Sequence, residues 1–281
     1  VLRLWFLAFA IGLRRRDVPY PLASINPQSL SGLLGGGVLS KTPDQVANLA
    51  AWFDASDITT MYKDAGVTPV SADGDAIAQI NDKSGNSRVL SGGGGAAKPL
   101  YKINIQNGLS VVRFDGVDDI LSSVWTNANV GCNDGNWCII GGFTPVALDT
   151  NSATVYQNDC LWSWIGGYGG VFMKSAPNIQ LYHYDGTLDI TTAEGIAVGT
   201  PIISVSYQTG GVASHALGKN TPQSVSSGNS GGGARTFRIA TETPIFTQLD
   251  LHELFIYSTK PSDADIILLL NYLIGKWNYP T

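Results

Sequence analysis

Cleaving a glycosidic bond takes two carboxyl groups flanking it, about 5–10 Å apart, one to give a proton and one to act as nucleophile or base. The chain has three glutamates, Glu194, Glu242 and Glu253, and they are scattered. Its dense acidic cluster is Asp115, Asp118 and Asp119, where three carboxylates close together suit a strand-ending turn or a metal ion better than hydrolysis. His183, His215 and His252 form no i, i+4 zinc pair, and no Gly-x-Ser-x-Gly elbow or phosphate-cradling Gly-x-x-x-x-Gly-Lys loop is present. His252, next to Glu253, reads as a satisfied polar contact.

Aromatic side chains offer a different chemistry, because exposed rings stack on sugar faces while neighbouring amides and carboxylates bond hydroxyls. Trp162, Trp164, Tyr168, Tyr182 and Tyr184 are interleaved with Gly166, Gly167, Gly169 and Gly170. That pattern fits a glycan-binding face. It equally fits a sandwich core, in which Trp162 and Trp164, two apart on a strand, both point inward.

The elements that would carry these groups are short. Of 281 residues only 14% are charged, against 44% hydrophobic and 33 glycines, and the net charge is -5. No basic stripe for nucleic acid is expected from such a balance. Runs at 49–54, 76–81, 111–114, 137–143, 171–174, 179–184, 202–207, 236–240 and 249–257 are rich in β-branched or aromatic residues and end at Gly, Asn, Asp or Pro. They predict two packed antiparallel sheets. A single helix is expected over 266–274, capped by Ser262 with Asp263 and Asp265 in its first turn, and ending at Gly275-Lys276-Trp277. Cys132, Cys138 and Cys160 are either one bridge, Cys132 to Cys138 across a four-residue turn, with a thiol left over, or three buried thiols.

Residues 1–44 read as an extended arm. The apolar run Leu4–Leu13 is shorter than the roughly 20 residues of a membrane span, and Arg14, Arg15 and Arg16 follow it rather than precede it as in a secretory signal. Pro19, Pro21, Pro27 and a glycine run at 35–37 carry no helical or strand period. Such an arm is expected to serve assembly, with Trp5, Phe6 and Phe9 inserted into neighbouring chains and Arg14, Arg15 and Arg16 meeting acidic partners. The globular domain then covers 45–281.

Leu49-Ala-Ala-Trp-Phe-Asp-Ala-Ser-Asp57, Asn81-Asp-Lys-Ser-Gly-Asn86, Asn107 to Asp119 with its Arg113-Phe-Asp-Gly116 core, Glu253-Leu-Phe-Ile-Tyr257 and Tyr272 to Trp277 occur in this order. The series resembles the concanavalin A-like lectin/glucanase jelly rolls, the laminin G-like group, in the form found in bacteriophage virion proteins and some bacterial surface proteins. The resemblance covers about 44–125 and 236–279 closely and the middle by strand rhythm. It implies an all-β antiparallel jelly-roll sandwich with one C-terminal helix, against which Tyr272 and Trp277 bury. It implies a virion structural protein, of tail or capsid decoration, attached to other virion proteins by the arm, homo-oligomeric and trimeric, adhering to host surface glycan without catalysis. The alternative is a bacterial surface or secreted lectin, and behind it a glycoside hydrolase, whose Glu-x-Asp-x-x-Glu strand this sequence does not contain. Relatives of this kind also hold calcium at the sandwich rim, which would place Ca²⁺ at Asp115, Asp118 and Asp119, with Asp82 and Asn86 as weaker candidates.

Overall fold

Runs of β-branched and aromatic residues pair into two sheets in the computed structural model, which describes residues 39–132, 136–147, 159–164, 170–174, 179–184, 189–226, 234–242 and 245–280. The strands of the first half are β1 (Leu49–Asp54), β2 (Met61–Tyr62), β3 (Gln79–Asn81), β4 (Val89–Gly92), β5 (Leu100–Gln106), β6 (Leu109–Arg113), β7 (Leu121–Thr126), β8 (Asn136–Pro145) and β9 (Asp159–Trp164). Those of the second half are β10 (Gly170–Lys174), β11 (Ile179–Tyr184), β12 (Asp189–Ile196), β13 (Ile202–Thr209), β14 (Val212–Leu217), β15 (Gln223–Ser226), β16 (Thr236–Ile239), β17 (Thr241–Glu242), β18 (Ile245–Phe246) and β19 (Leu249–Tyr257). Helix α1 (Asp263–Trp277) closes the series.

One sheet runs β15-β14-β13-β8-β19-β6-β5, with β1 also paired to β19, and the other runs β12-β11-β10-β9-β16-β7-β4-β3-β2. The molecule is an all-β, two-sheet antiparallel sandwich with one C-terminal helix. Its inter-sheet core is aromatic: Phe237 stacks on Trp125 at 6.1 Å and on Trp162 at 5.8 Å, and meets the edge of Trp164 at 5.1 Å.

A second core lies between α1 and the outer face of the first sheet. Val111, Cys138, Ile140, Val205, Phe255 and Tyr257 face Leu269, Leu270, Leu273 and Trp277 there. Strand β19 is buried along its whole length because it is covered on both sides. Helix α1 starts where Ser262 accepts the Asp265 N–H at its cap, and it ends at Asn278 in a left-handed conformation, φ 56. It runs through Gly275 to Trp277, three residues beyond the apolar run that predicts it, and buries Trp277 fully and Tyr272 by half.

The turn at 82–86 works as its residue types require. Asp82 accepts the Trp52 and Ser84 N–H groups at 2.7 Å each, Gly85 takes φ +85, and the Asn86 amide donates to the carbonyls of Leu49 and Ala50. It ties a loop of the second sheet to β1. Phe114 is fully buried between the sheets, and Arg113 makes a two-point pair with Asp250 at 2.7 Å per contact.

The cysteine bridge does not form. Cys132 packs in the inter-sheet core while Cys138 packs on the helix side of β8, so the two thiols belong to different layers, and all three cysteines are buried and unbridged. Burial pushes the Cys132 thiol up to about 12 and raises that of Cys138 as well.

Candidate functional site

The acidic turn after β6 is built as its spacing predicts. Asp115 accepts the N–H groups of Val117 and Asp118 at 2.8 and 3.3 Å, and Asp119 accepts that of Asp115 at 2.8 Å. One oxygen from each of Asp115, Asp118 and Asp119 lies within 4.8 Å of the others. Asp119 is buried, and desolvation together with the neighbouring Asp115 and Asp118 charges pushes its carboxyl up to about 6. These are hard oxygen donors, so in kind they fit Ca²⁺. In number they supply three of the roughly six to eight oxygens that the ion takes. Asp82 and Asn86 are occupied in the strand-ending turn described above.

Trp162 and Trp164, at 0% and 4% exposure, are core residues packed on Phe237, and their rings are closed to a sugar. Their alternation on β9 directs both inward, the core reading of the sequence pattern. In the backbone register, Trp162 pairs with Val171 and Val171 with His183, while Tyr182 pairs with Phe172 and Tyr184 with Gly170. Tyr168 lies outside the described residues, as do Trp5, Phe6, Phe9, Arg14, Arg15 and Arg16 of the arm.

The opposite face of the same sheet has a different composition. Along β7, Leu121, Ser123 and Trp125 are buried, and Ser122, Val124 and Thr126 alternate with them outward. Gln79, Ser91, Ser122 and Arg238 stand opposite one another across β3, β4, β7 and β16, all half-buried. Asn81, Val89, Thr126 and Thr236 flank that row, and Val124, exposed, lies two residues from Ser122 along β7. The face is thus a sheet of hydroxyls and amides with one guanidinium. Sequence reasoning missed it because β4 and β7 are poor in aromatic residues, and only the register brings their small polar side chains into line. A separate cleft of about 250 Å³ beside Pro201, Leu217, Tyr279 and Pro280 is lined mainly by apolar groups and offers few partners to a polyhydroxyl ligand.

A second polar assembly lies under α1. β19 carries a bulge between Leu251 and Glu253, opposite Phe143 and Gly142, so that His252 and Glu253 both turn to the helix side. Glu253, fully buried, accepts Trp52 Nε1 at 2.7 Å and the Tyr272 hydroxyl at 2.9 Å on Oε1, and Lys276 Nζ and Trp277 Nε1 at 2.8 Å each on Oε2. Lys276 Nζ also lies 2.8 Å from Asp54 Oδ2, which Lys83 Nζ approaches at 2.9 Å while reaching Asp57 at 2.8 Å. Burial, then the Asp54 charge, raise the Glu253 carboxyl against the pull of Lys276. Burial also acts upward on Asp54, but Lys276, Ser56 and Lys83 together outweigh it and hold that carboxyl low.

His252 is the satisfied contact its position suggests. Its Nδ1 lies 2.5 Å from the Tyr279 hydroxyl and its Nε2 3.1 Å from Thr144 Oγ1, and its ring stacks on Trp277 at 5.0 Å. Burial lowers its pKa to about 3. Asp250 and Glu253, three apart on β19, are therefore both taken up by cations, one by Arg113 and the other by Lys276.

No family model matches the chain, and no curated protein matches it. Among solved structures it is similar to the Trypanosoma rangeli sialidase in complex with 2,3-difluoro-KDN, with a TM-score of 0.58 and 12% identity over 100% of this chain and 39% of that one. It is similar to a mutant of HCR/D, with a TM-score of 0.50 and 12% identity over 80% of this chain and 55% of that one. Domain 4 of AbnA, an extracellular arabinanase from Geobacillus stearothermophilus in complex with arabinotriose, gives a TM-score of 0.44 at 14% identity over 80% of this chain and 99% of that one. The chain spans about two fifths of the sialidase and a little over half of HCR/D. At this identity the first two likenesses are of fold: a two-sheet antiparallel sandwich shared with parts of larger proteins.

Proposed function

We propose that the domain is a non-catalytic carbohydrate-binding module that reads sugars with the outward face of its nine-stranded sheet. The observation that carries the reading is the register row Gln79, Ser91, Ser122, Arg238, whose hydroxyl, amide and guanidinium groups match the donors and acceptors of a pyranose. The fold it shares with part of a sialidase accords with a saccharide ligand. Binding without hydrolysis is supported by the state of the β19 acids, each held by a basic side chain. The test is a glycan array with the full chain and with Val124→Arg and Ser122→Lys, both outward-facing. A hit on the wild type that weakens at least tenfold in the two variants, with melting unchanged, supports the face. Absence of any glycan above background, or variants that bind as well as the wild type, refutes it.

The setting we propose is a bacteriophage virion, with residues 1–44 attaching the module to other virion proteins in a homo-oligomer. The motifs at 49–57, 81–86 and 107–119, and the apolar and basic composition of the arm, favour it. Co-purification with particles should require residues 1–44. A chain that lacks them and still travels with particles would remove this setting while leaving the glycan-binding reading intact.

A further inference from the structure

The cluster beneath α1 holds a lysine, an aspartate and a glutamate in an arrangement that does more than neutralise charge. Lys276 Nζ sits 2.8 Å from Asp54 Oδ2 and 2.8 Å from Glu253 Oε2, so one amine touches both an electrophile and a base. Glu253 is fully buried and the Asp54 side chain is 4% exposed. Trp52, Tyr272 and Trp277 close the site, the last two with their rings 5.5 and 5.2 Å from the amine. Asp54 Oδ1 accepts the Ser56 N–H at 3.0 Å and hydroxyl at 2.6 Å, while Oδ2 also meets the Lys83 ammonium. Those donors are placed where negative charge would build if the Asp54 carbon became tetrahedral.

We infer that Lys276 and Asp54 condense to an intramolecular amide, with Glu253 carrying the proton between them. Glu253 first takes a proton from the Lys276 ammonium, and the free amine attacks Asp54 Cγ to form the C–N bond. The tetrahedral centre collapses as one former carboxylate oxygen leaves. That oxygen collects two protons, one returned by Glu253 and one from the attacking nitrogen, and departs as water. The ammonium's third hydrogen stays on the amide nitrogen and Glu253 ends as it began, so no oxidant, reductant or cofactor enters. Burial raises the Glu253 carboxyl, which helps it accept the proton, and opposes hydrolysis of the product, while Lys276, Ser56 and Lys83 hold the Asp54 carboxyl low, so the amine attacks an ionised carboxylate and the Ser56 and Lys83 donors must carry the charge on its oxygens. The two reacting groups are already in contact, so no bimolecular encounter precedes the attack, and the proton that ties up the amine in the ion pair is the one Glu253 removes.

Intact-mass spectrometry of the purified, folded full chain, incubated at neutral pH, tests the inference together with peptide mapping. The expected mass is one water below that of the sequence, with Asp54 and Lys276 recovered in a single branched peptide. Lys276→Arg keeps a cation on both carboxylates and cannot form the amide, so it should fold, show the full sequence mass and melt at a lower temperature than the wild type. Glu253→Gln should likewise show the full mass. A folded wild type with the unmodified mass overturns the inference. So does a missing water that maps elsewhere, such as a succinimide at Asp115-Gly116, or a branched peptide that persists in Lys276→Arg.

Discussion

The Tyr279 hydroxyl reaches Nδ1 of His252, 2.5 Å away, by passing over the Cα of Gly142, where a side chain of any size would collide with it. Gly142→Ala should therefore displace the C-terminal segment and destabilise the domain by about 2–4 kcal/mol, whereas Tyr279→Phe, which removes only a buried hydrogen bond, should cost about 1–2 kcal/mol. Urea denaturation of the two variants beside the wild type measures both.

Acid stability should depend on His252. The unfolded chain takes up a proton there as pH falls below the ordinary histidine value of 6.5, and the folded chain does so only near 3. Stability contributed by this group is therefore complete above about 6.5 and is lost towards 3, by on the order of 3–5 kcal/mol. Asp119 acts with the opposite sign, because its folded value of about 6 lies above the ordinary 3.8 and its contribution is lost as pH rises through 6. Urea midpoints measured from pH 4 to 7 in EDTA should show a shallower acid loss in His252→Gln and a steeper one in Asp119→Asn.

Two ion pairs should respond very differently to truncation. Arg113→Ala leaves Asp250, 1% exposed, as a buried carboxylate without its two-point partner, a loss of about 2–4 kcal/mol. Lys102→Ala opens the pair with Asp73, whose side chain is half exposed, and should change stability by less than about 1 kcal/mol. Chemical denaturation separates the two cases, and 1 M salt should reduce only the second.

Trp164→Ala should act as a core mutation. Removing a ring that packs on Phe237 and Trp125 should cost about 3–5 kcal/mol. In conditions where the variant remains folded, its glycan affinity should match that of the wild type, because the ring lies on the inner side of the sheet. A selective loss of affinity at unchanged stability would return Trp164 to the binding surface.

Local pattern carried the helix and part of the strands, while β4, β5, β7, β12 and β14 fall outside the runs that predict strands. The bounds of β11 and β19 coincide with the runs that predict them, and α1 begins at its predicted cap, because alternation, capping and turn chemistry are encoded within a few residues. The acidic turn at 115–119 was legible for the same reason. Trp162 and Trp164 were not, since a ring pointing inward and one pointing outward have the same spacing, and only the opposite sheet decides between them. The cluster of Asp54, Lys83, Glu253 and Lys276 was invisible at the level of spacing: its members come from opposite ends of the chain, and the bulge that aims Glu253 exists only against Gly142 on β8.

That bulge also governs how the molecule comes apart. Isolated terminal elements ordinarily fray first, a turn at a time. Here the last turn of α1 is fastened through Lys276 to the end of β1, and both are fastened to β19 in the middle of the sheet. The first and last elements of the domain therefore have no independent route to melting, and a protease or an applied pull at either end meets the same central strand.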